Sequence, residues 1–156
     1  MPEIYLQTQV KAPIHICFDL ARSIDLHQLS TAKTGEKAIA GRTSGLIQLH
    51  ETVTWRAKHF GIWQELTSKI TALKSPNYFE DQMVRGAFKS FRHEHYFTTV
   101  GNETLMQDLF LFESPAGWLG QIANGLFLTN YMRRLLQERN TVIKDYAESE
   151  KWKGIL

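Results

Sequence analysis

The sequence predicts an α+β domain in which a curved antiparallel β-sheet wraps around a long C-terminal α-helix, with two short helices after the first strand. Three observations predict it. Segments of strand character follow one another from residue 49 to residue 113, cut by turns at Gly61, Ser75-Pro76-Asn77, Gly86 and Gly101-Asn102. Turns this short imply antiparallel neighbours. After Pro115 and Gly117, apolar residues recur at helical spacing: Leu119, Ile122 and Leu126, then Leu128, Met132, Leu135, Val142 and Tyr146. Ahead of the strands stand one alternating segment and one apolar helical run. A long amphipathic helix needs an apolar surface, and a strongly twisted antiparallel sheet can curl around it.

Taken in order, EIYLQTQV sets Ile4, Leu6 and Val10 against polar partners and reads as the first strand. Pro13 opens PIHICFDLARSIDLHQLS, two short helices by pattern, since its fixed φ suits a first helical turn. Ser23 is the N-cap between them. TAKTGEKAIAGRTSGLIQ, rich in Gly, Thr and Ser, reads as a loop, a short strand and a turn. LHETVTWRAKHF, IWQELTSKITALK, YFEDQMVR, FRHEHYFTTV and TLMQDLFLFE are the strands that follow. The helical segment 118–151 would run on the order of 45–50 Å at ~1.5 Å per residue. Within it, MRRLLQERN puts Arg133, Arg134, Glu138 and Arg139 on a solvated face, with Arg134 and Glu138 at i,i+4 spacing.

At 156 residues the chain suits a single domain, 1–156, with a real core. Its 43% hydrophobic and 22% charged content are ordinary for a globular protein. A net charge of +2 without a long Lys/Arg run excludes a basic nucleic-acid binder. The single cysteine, Cys17, cannot form an internal disulfide and reads as a small buried packing group, which suits a reducing compartment. MPEIYLQTQV has neither a basic n-region nor an apolar h-region, so no signal peptide is expected. No run approaches the roughly 20 apolar residues that a membrane span needs. The expected location is the cytoplasm.

The stretches IAGRTSGLI, ETVTWRAKHFG, LTSKIT, YFEDQMVRGAFKSFRHEHYF, TLMQD and RRLLQERN, spread from Gly35 to Asn140, resemble the START-like or SRPBCC superfamily. That superfamily includes polyketide cyclases, lipid-transfer domains and pollen-allergen-like proteins. More narrowly, the chain is similar to a bacterial subfamily of single-domain SRPBCC proteins. His50 stands where such sequences are expected to carry a glycine. The resemblance implies a helix-grip fold enclosing a cavity for hydrophobic ligands. It implies binding without implying a reaction, because the fold hosts both.

Strand side chains alternate, so parity assigns the faces. The inward sets are Val53, Trp55 and Ala57; Leu66, Ser68, Ile70 and Ala72; Phe79 and Met83; Phe91 and Phe97; and Thr104, Met106, Phe110 and Phe112. Glu51, His59, Asp81, His93, His95 and Asp108 are the ionisable exceptions within them. A β-turn near Ala87 that pairs 83 with 93 would set Asp81 opposite His95. If Gly101-Asn102 pairs 99 with 104, His95 also faces Asp108. Slipping both hairpins by one pair puts His93 in that row instead. Opposite Cβ atoms lie roughly 4.5–5.5 Å apart, close enough for their side chains to hydrogen-bond.

Such a row reads in three ways. It is a satisfied polar seam, a polar anchor for a ligand head group, or an acid–base pair. His-x-His with an aspartate also has a metal-site look, but the cysteine and the other histidines supply no second motif, so no metal is expected. No cofactor is expected either. The resemblance and the apolar parity together imply binding of a small hydrophobic or amphipathic molecule. The lining would comprise Trp55, His59, Phe79, Met83, Phe91, His93, His95, Phe97, Met106, Phe110 and Phe112, with Leu119, Ile122 and Leu126 from the helix. The alternative is a cyclase, dehydratase or isomerase using Asp81, His93, His95 and Asp108. A third is a protein-interaction module with a vestigial cavity. A monomer or weak homodimer is expected.

Overall fold

The computed structural model describes residues 1–114 and 127–156. Seven strands form one antiparallel sheet: β1 (Glu3–Val10), β2 (Lys37–Gly41), β3 (Thr52–His59), β4 (Ile62–Lys74), β5 (Tyr78–Arg85), β6 (Ser90–Val100) and β7 (Glu103–Glu113). Their order is β1-β7-β6-β5-β4-β3-β2, so the first strand closes onto the last. Irregularities at Ala38/Ala40, Thr67/Ser68 and Ile70/Ala72 accompany the bend of the sheet. Among the described residues, three α-helices accompany the sheet: α1 (Ile14–Ala21), α2 (Ile24–Ser30) and α3 (Leu128–Glu148). This is the α+β arrangement the sequence predicts.

Local chemistry accounts for the element ends. Pro13, in extended conformation, opens α1, and the Ser23 hydroxyl accepts from the Leu26 N–H at 3.1 Å to open α2. The C-terminal helix stops at Glu148 rather than running to residue 151. Ser149 is extended, and its hydroxyl accepts from the Lys151 N–H at 3.2 Å to start a short 3₁₀ turn, Glu150–Gly154. The expected start of that helix, with Leu119, Ile122 and Leu126, lies outside the described residues. His50, at the position expected to be glycine, has φ 68°, a left-handed conformation that glycine adopts more easily.

Two apolar clusters fill the space under the sheet. The larger joins α1 and α2 to β3 through β7, with Phe18 edge-on to Phe79 and Phe97. Cys17 is buried within it, and burial raises its thiol pKa. The smaller cluster gathers Ile4, Phe91, Phe110, Phe112 and Leu136, with Phe88 and Met83 packed against it.

The outer face of the sheet holds a polar network that parity alone does not reveal. Glu80 and Glu94 point outward yet are buried. Glu80 accepts from Thr71 (2.7 Å), Tyr78 (2.9 Å), Gln82 (2.7 Å) and the Arg92 Nε–H (2.8 Å). Glu94 accepts from Arg92 and from Tyr96. Burial pushes the Glu80 carboxyl upward, but these donors outweigh it and hold it at about 2. A folded pKa below the unfolded one gives stability that is present above about pH 4.5 and is lost as pH falls toward 2. Arg92 is half exposed. Solvent screening therefore brings the contribution to on the order of 1–2 kcal/mol. In urea unfolding from pH 7 to pH 2, Glu80→Gln is expected to be less stable than the wild type at pH 7, with the gap closing in acid. A gap independent of pH would refute this assignment.

Candidate functional site

Four of the inner ionisable residues, Asp81, His93, His95 and Asp108, meet, by a register that combines the two expected hairpins. The β5–β6 pairing sets Asp81 opposite His93 and Phe79 opposite His95. The β6–β7 pairing sets His95 opposite Asp108 and Thr99 opposite Thr104. The β6–β7 turn is the tight one expected at Gly101-Asn102, whereas β5–β6 is slipped by one pair. Residues 86–89 form its loop, and Phe88 folds inward onto Phe91, Phe110 and Phe112. The hydrogen bonds then run diagonally as well as across. The His93 Nε2–H donates to Asp108 Oδ1 at 2.9 Å, and His95 Nε2 lies 3.1 Å from Asp81 Oδ1. His95 Nδ1 is 3.2 Å from Asp108 Oδ1. The two imidazole rings are 3.7 Å apart, centroid to centroid.

Helix α3 completes the cluster with two residues that the sequence reading placed elsewhere or passed over. Arg139, expected on a solvated face, is only 8% exposed. Its guanidinium donates to the Ala21 carbonyl (3.0 Å) and Asn140 Oδ1 (3.1 Å), and approaches Asp108 at 3.5 Å. Asn140 donates to Asp108 Oδ2 at 2.6 Å. Glu138 pairs with Lys33, not with Arg134. The signal for Arg139 was available in principle. Leu136, Arg139, Asn140, Ile143 and Ala147 form the most buried stripe of α3, so two polar residues interrupt an apolar face there as they do on the strands.

The electrostatics follow from this geometry. Burial would raise the Asp108 carboxyl, but hydrogen bonds from His93 and His95 hold it well below the ordinary range. Asp81 is lowered too, its contact with His95 outweighing burial. Burial, reinforced by the adjacent His95, pushes His93 down to about 4, against the pull of Asp108. His93 is therefore neutral at neutral pH, with Nε2 protonated toward Asp108 and the lone pair on Nδ1.

A pocket of about 380 Å³ opens beside the cluster, between the concave sheet and α3. Trp55, Leu66, Phe91, Phe110, Met132 and Leu135 supply apolar wall, and a polar one comes from buried His93 and Arg139 with partly buried Asp81. A smaller pocket of about 110 Å³ lies against α1 and α2, and Asp81, His93 and Arg139 border it too. His59 Nδ1 and the Tyr131 hydroxyl, 2.6 Å apart, tie β3 to α3 at the side of Phe60.

Of the residues expected to line a cavity, Trp55, His59, Phe91, His93 and Phe110 border the larger pocket, and Phe79 and His95 the smaller. Four others are packing groups among the described residues. Phe97 and Met106 belong to the larger core cluster, where Phe18 of α1 fills the space above Phe97. Phe112 and Met83 belong to the smaller one, where Phe88 covers Phe112. Asp108 lies behind the imidazoles rather than on a pocket wall. Glu51 is outside the sheet's inner face, paired to Arg42 at 2.7 Å.

Solved structures share this architecture. A protein from Thermus thermophilus superposes with a TM-score of 0.71 at 14% identity, over 91% of this chain and 97% of its own. A START superfamily protein from Mycobacterium smegmatis gives 0.71 at 11% identity, over 94% and 97%. The fold is START-like. Ginseng (Panax ginseng) major latex-like protein 151 extends the likeness to plants, with a TM-score of 0.65 at 15% identity over 95% and 98%. No protein-family model and no curated protein matches the chain. Identities this low establish the START-like fold and leave the ligand to the chemistry of this chain's own residues.

Proposed function

We propose that this START-like chain binds a small, mostly apolar molecule bearing one polar end, in the pocket between the sheet and α3. The observation that carries the reading is the pairing of an apolar pocket with a polar wall of Asp81, His93 and Arg139. About 380 Å³ falls at the lower end of the roughly 300–1,000 Å³ typical of small-molecule sites. Trp55, Phe91, Phe110 and Met132 would hold the apolar body, and Asp81, His93 and Arg139 the polar end. An interaction module with a vestigial cavity has no need of such a pocket.

Binding is favoured over acid–base catalysis on electrostatic grounds. A general base works best with a pKa near the operating pH. His93, at about 4, is too weak a base for that role at neutral pH, and its Nε2 proton is committed to Asp108.

Native mass spectrometry of the purified chain is expected to find a copurifying amphipathic molecule or to accept an added one. A fluorescent fatty-acid or aromatic probe is expected to bind one per chain. Trp55→Ala should weaken the probe several-fold through lost apolar contact, and Leu135→Trp, which fills the pocket, should abolish binding with the fold intact by circular dichroism. Probe affinity unchanged in both variants would overturn the proposal.

A further inference from the structure

We infer that Asp81, His93 and His95 form a binding site for one divalent transition-metal ion of the zinc class. One carboxylate oxygen of Asp81 and one ring nitrogen from each histidine lie within 4.8 Å of one another. Two imidazoles and a carboxylate are the donor set of open, three-protein-ligand zinc sites. Ligand atoms about 2.0–2.1 Å from a tetrahedral ion are about 3.4 Å apart. His95 Nε2 and Asp81 Oδ1, at 3.1 Å, already stand near that spacing.

The surroundings argue for a cation as much as the donors do. His95 faces a carboxylate oxygen with each of its ring nitrogens, Asp81 at 3.1 Å and Asp108 at 3.2 Å. A neutral imidazole has one N–H, so one of those contacts sets a lone pair against a carboxylate. A cation between His95 Nε2 and Asp81 removes the conflict and leaves the Nδ1–H to Asp108. Asp108 likewise takes the Nε2–H of His93 at 2.9 Å, which makes Nδ1 its donor nitrogen. One carboxylate thus orients both imidazoles, the outer-sphere arrangement found behind metal-bound histidines. Asn140 at 2.6 Å and Arg139 at 3.5 Å fix Asp108 in turn. The charges agree, since two carboxylates stand here against a single guanidinium, and an anion would meet Asp81 directly.

Position gives the site an accessible side. Asp81 and His93 border both pockets, so a coordination position left free by the three protein ligands faces the interior cavity. There an oxygen or nitrogen at the polar end of a small molecule would complete the ion's shell. That last step rests on the proposed ligand binding, whereas the ion site does not.

The test uses the intact chain, stripped with a chelator and free of any probe. Zn²⁺ is expected to bind one per chain by calorimetry and elemental analysis, and Co²⁺ to give a visible d–d spectrum of a low-symmetry nitrogen–oxygen site. His95→Gln and Asp81→Asn should each weaken Zn²⁺ by more than tenfold and erase the Co²⁺ spectrum. Asp108→Asn, which keeps the ligands and alters only their orientation, should weaken Zn²⁺ by about 10- to 100-fold. Circular dichroism on every variant separates a lost ligand from a lost fold. Absence of stoichiometric uptake would overturn the inference. Uptake that survives both His95→Gln and Asp81→Asn would overturn it too, by assigning the ion to other histidines. Probe binding by the stripped chain reports separately on the cavity, so either proposal can fail without the other.

Discussion

Asp108→Ala is expected to lower the unfolding free energy by roughly 3–5 kcal/mol, the cost of breaking a buried charge pair from one side. At about 2–4 °C per kcal/mol for a chain of this size, Tm should fall on the order of 10 °C. Asp108 is almost fully buried and serves four partners at once: His93, His95, Asn140 and Arg139. Its removal leaves an imidazole N–H without an acceptor, strips the Asn140 amide of its shorter hydrogen bond (2.6 Å, against 3.4 Å to Thr8), and leaves the Arg139 guanidinium without its counter-charge. Apolar replacement of both ends should behave differently, because a buried pair exchanged for packed apolar groups is often neutral. Asp108→Leu combined with Arg139→Met is therefore expected to recover part of the loss. Urea denaturation in the presence of a chelator measures all of these without any contribution from a bound ion. A loss below about 1 kcal/mol for Asp108→Ala would mean that the four contacts hold little of the fold, and the coupling from the double-mutant cycle would then vanish as well.

How far this cluster was legible in the sequence follows from what each residue depends on. His93 and His95 stand two apart on one strand, and strand alternation alone puts them on one face. Asp81 and Asp108 share that face for the same reason. Which carboxylate meets which imidazole depends on loop geometry, and there the two hairpins part. Gly101-Asn102 is a two-residue turn with Gly101 at φ 64°, and it delivered the expected pairing of 99 with 104. The loop before Ser90 is set by Phe88 turning into the smaller apolar cluster, a tertiary contact that no turn rule anticipates. Arg139 was misread because arginine on a helix is usually solvated, and its burial needs the Ala21 carbonyl and Asp108, both distant in sequence.

The fold was legible for a related reason. Alternation on the strands, Pro13 and Ser23 at the helix starts, and short turns are local signals, and they agree with one another. Long-range terms decided the rest. Glu80 and Glu94 sit on a polar outer face, and only the clustering of Thr71, Tyr78, Gln82, Arg92 and Tyr96 around them makes burial tolerable. Met83, Phe97, Met106 and Phe112 have the same inward parity as Phe91 and Phe110. Parity tells inward from outward but does not tell a pocket wall from a filled core. That distinction depends on which helix or loop side chain covers each position.

Phe18 is the side chain that decides it at one end. It is fully buried, with its ring edge-on to Phe79 at 5.7 Å and to Phe97 at 5.4 Å, and Arg22 lies over it at 5.4 Å. Phe18→Ala removes an aromatic ring from a close-packed site whose walls belong to sheet strands paired on both sides and cannot collapse inward. The expected loss is therefore about 3–5 kcal/mol, as for large-to-small changes in rigid cores. Phe79 borders the smaller pocket, so the vacated volume should join it and lengthen the interior toward α1. Two readouts check this together. Chemical denaturation should give the loss in stability, and a longer apolar probe should stabilise Phe18→Ala more than it stabilises the wild type, since binding to the folded state alone raises stability by mass action. Phe18→Leu should lose less than half as much and gain little from the longer probe. If Phe18→Ala costs under about 1 kcal/mol, the ring does not close the core as described. If the loss is full but the longer probe gives no extra stabilisation, the new cavity is sealed from the pocket, and the filled end and the open end are separate compartments rather than one interior divided by a single phenylalanine.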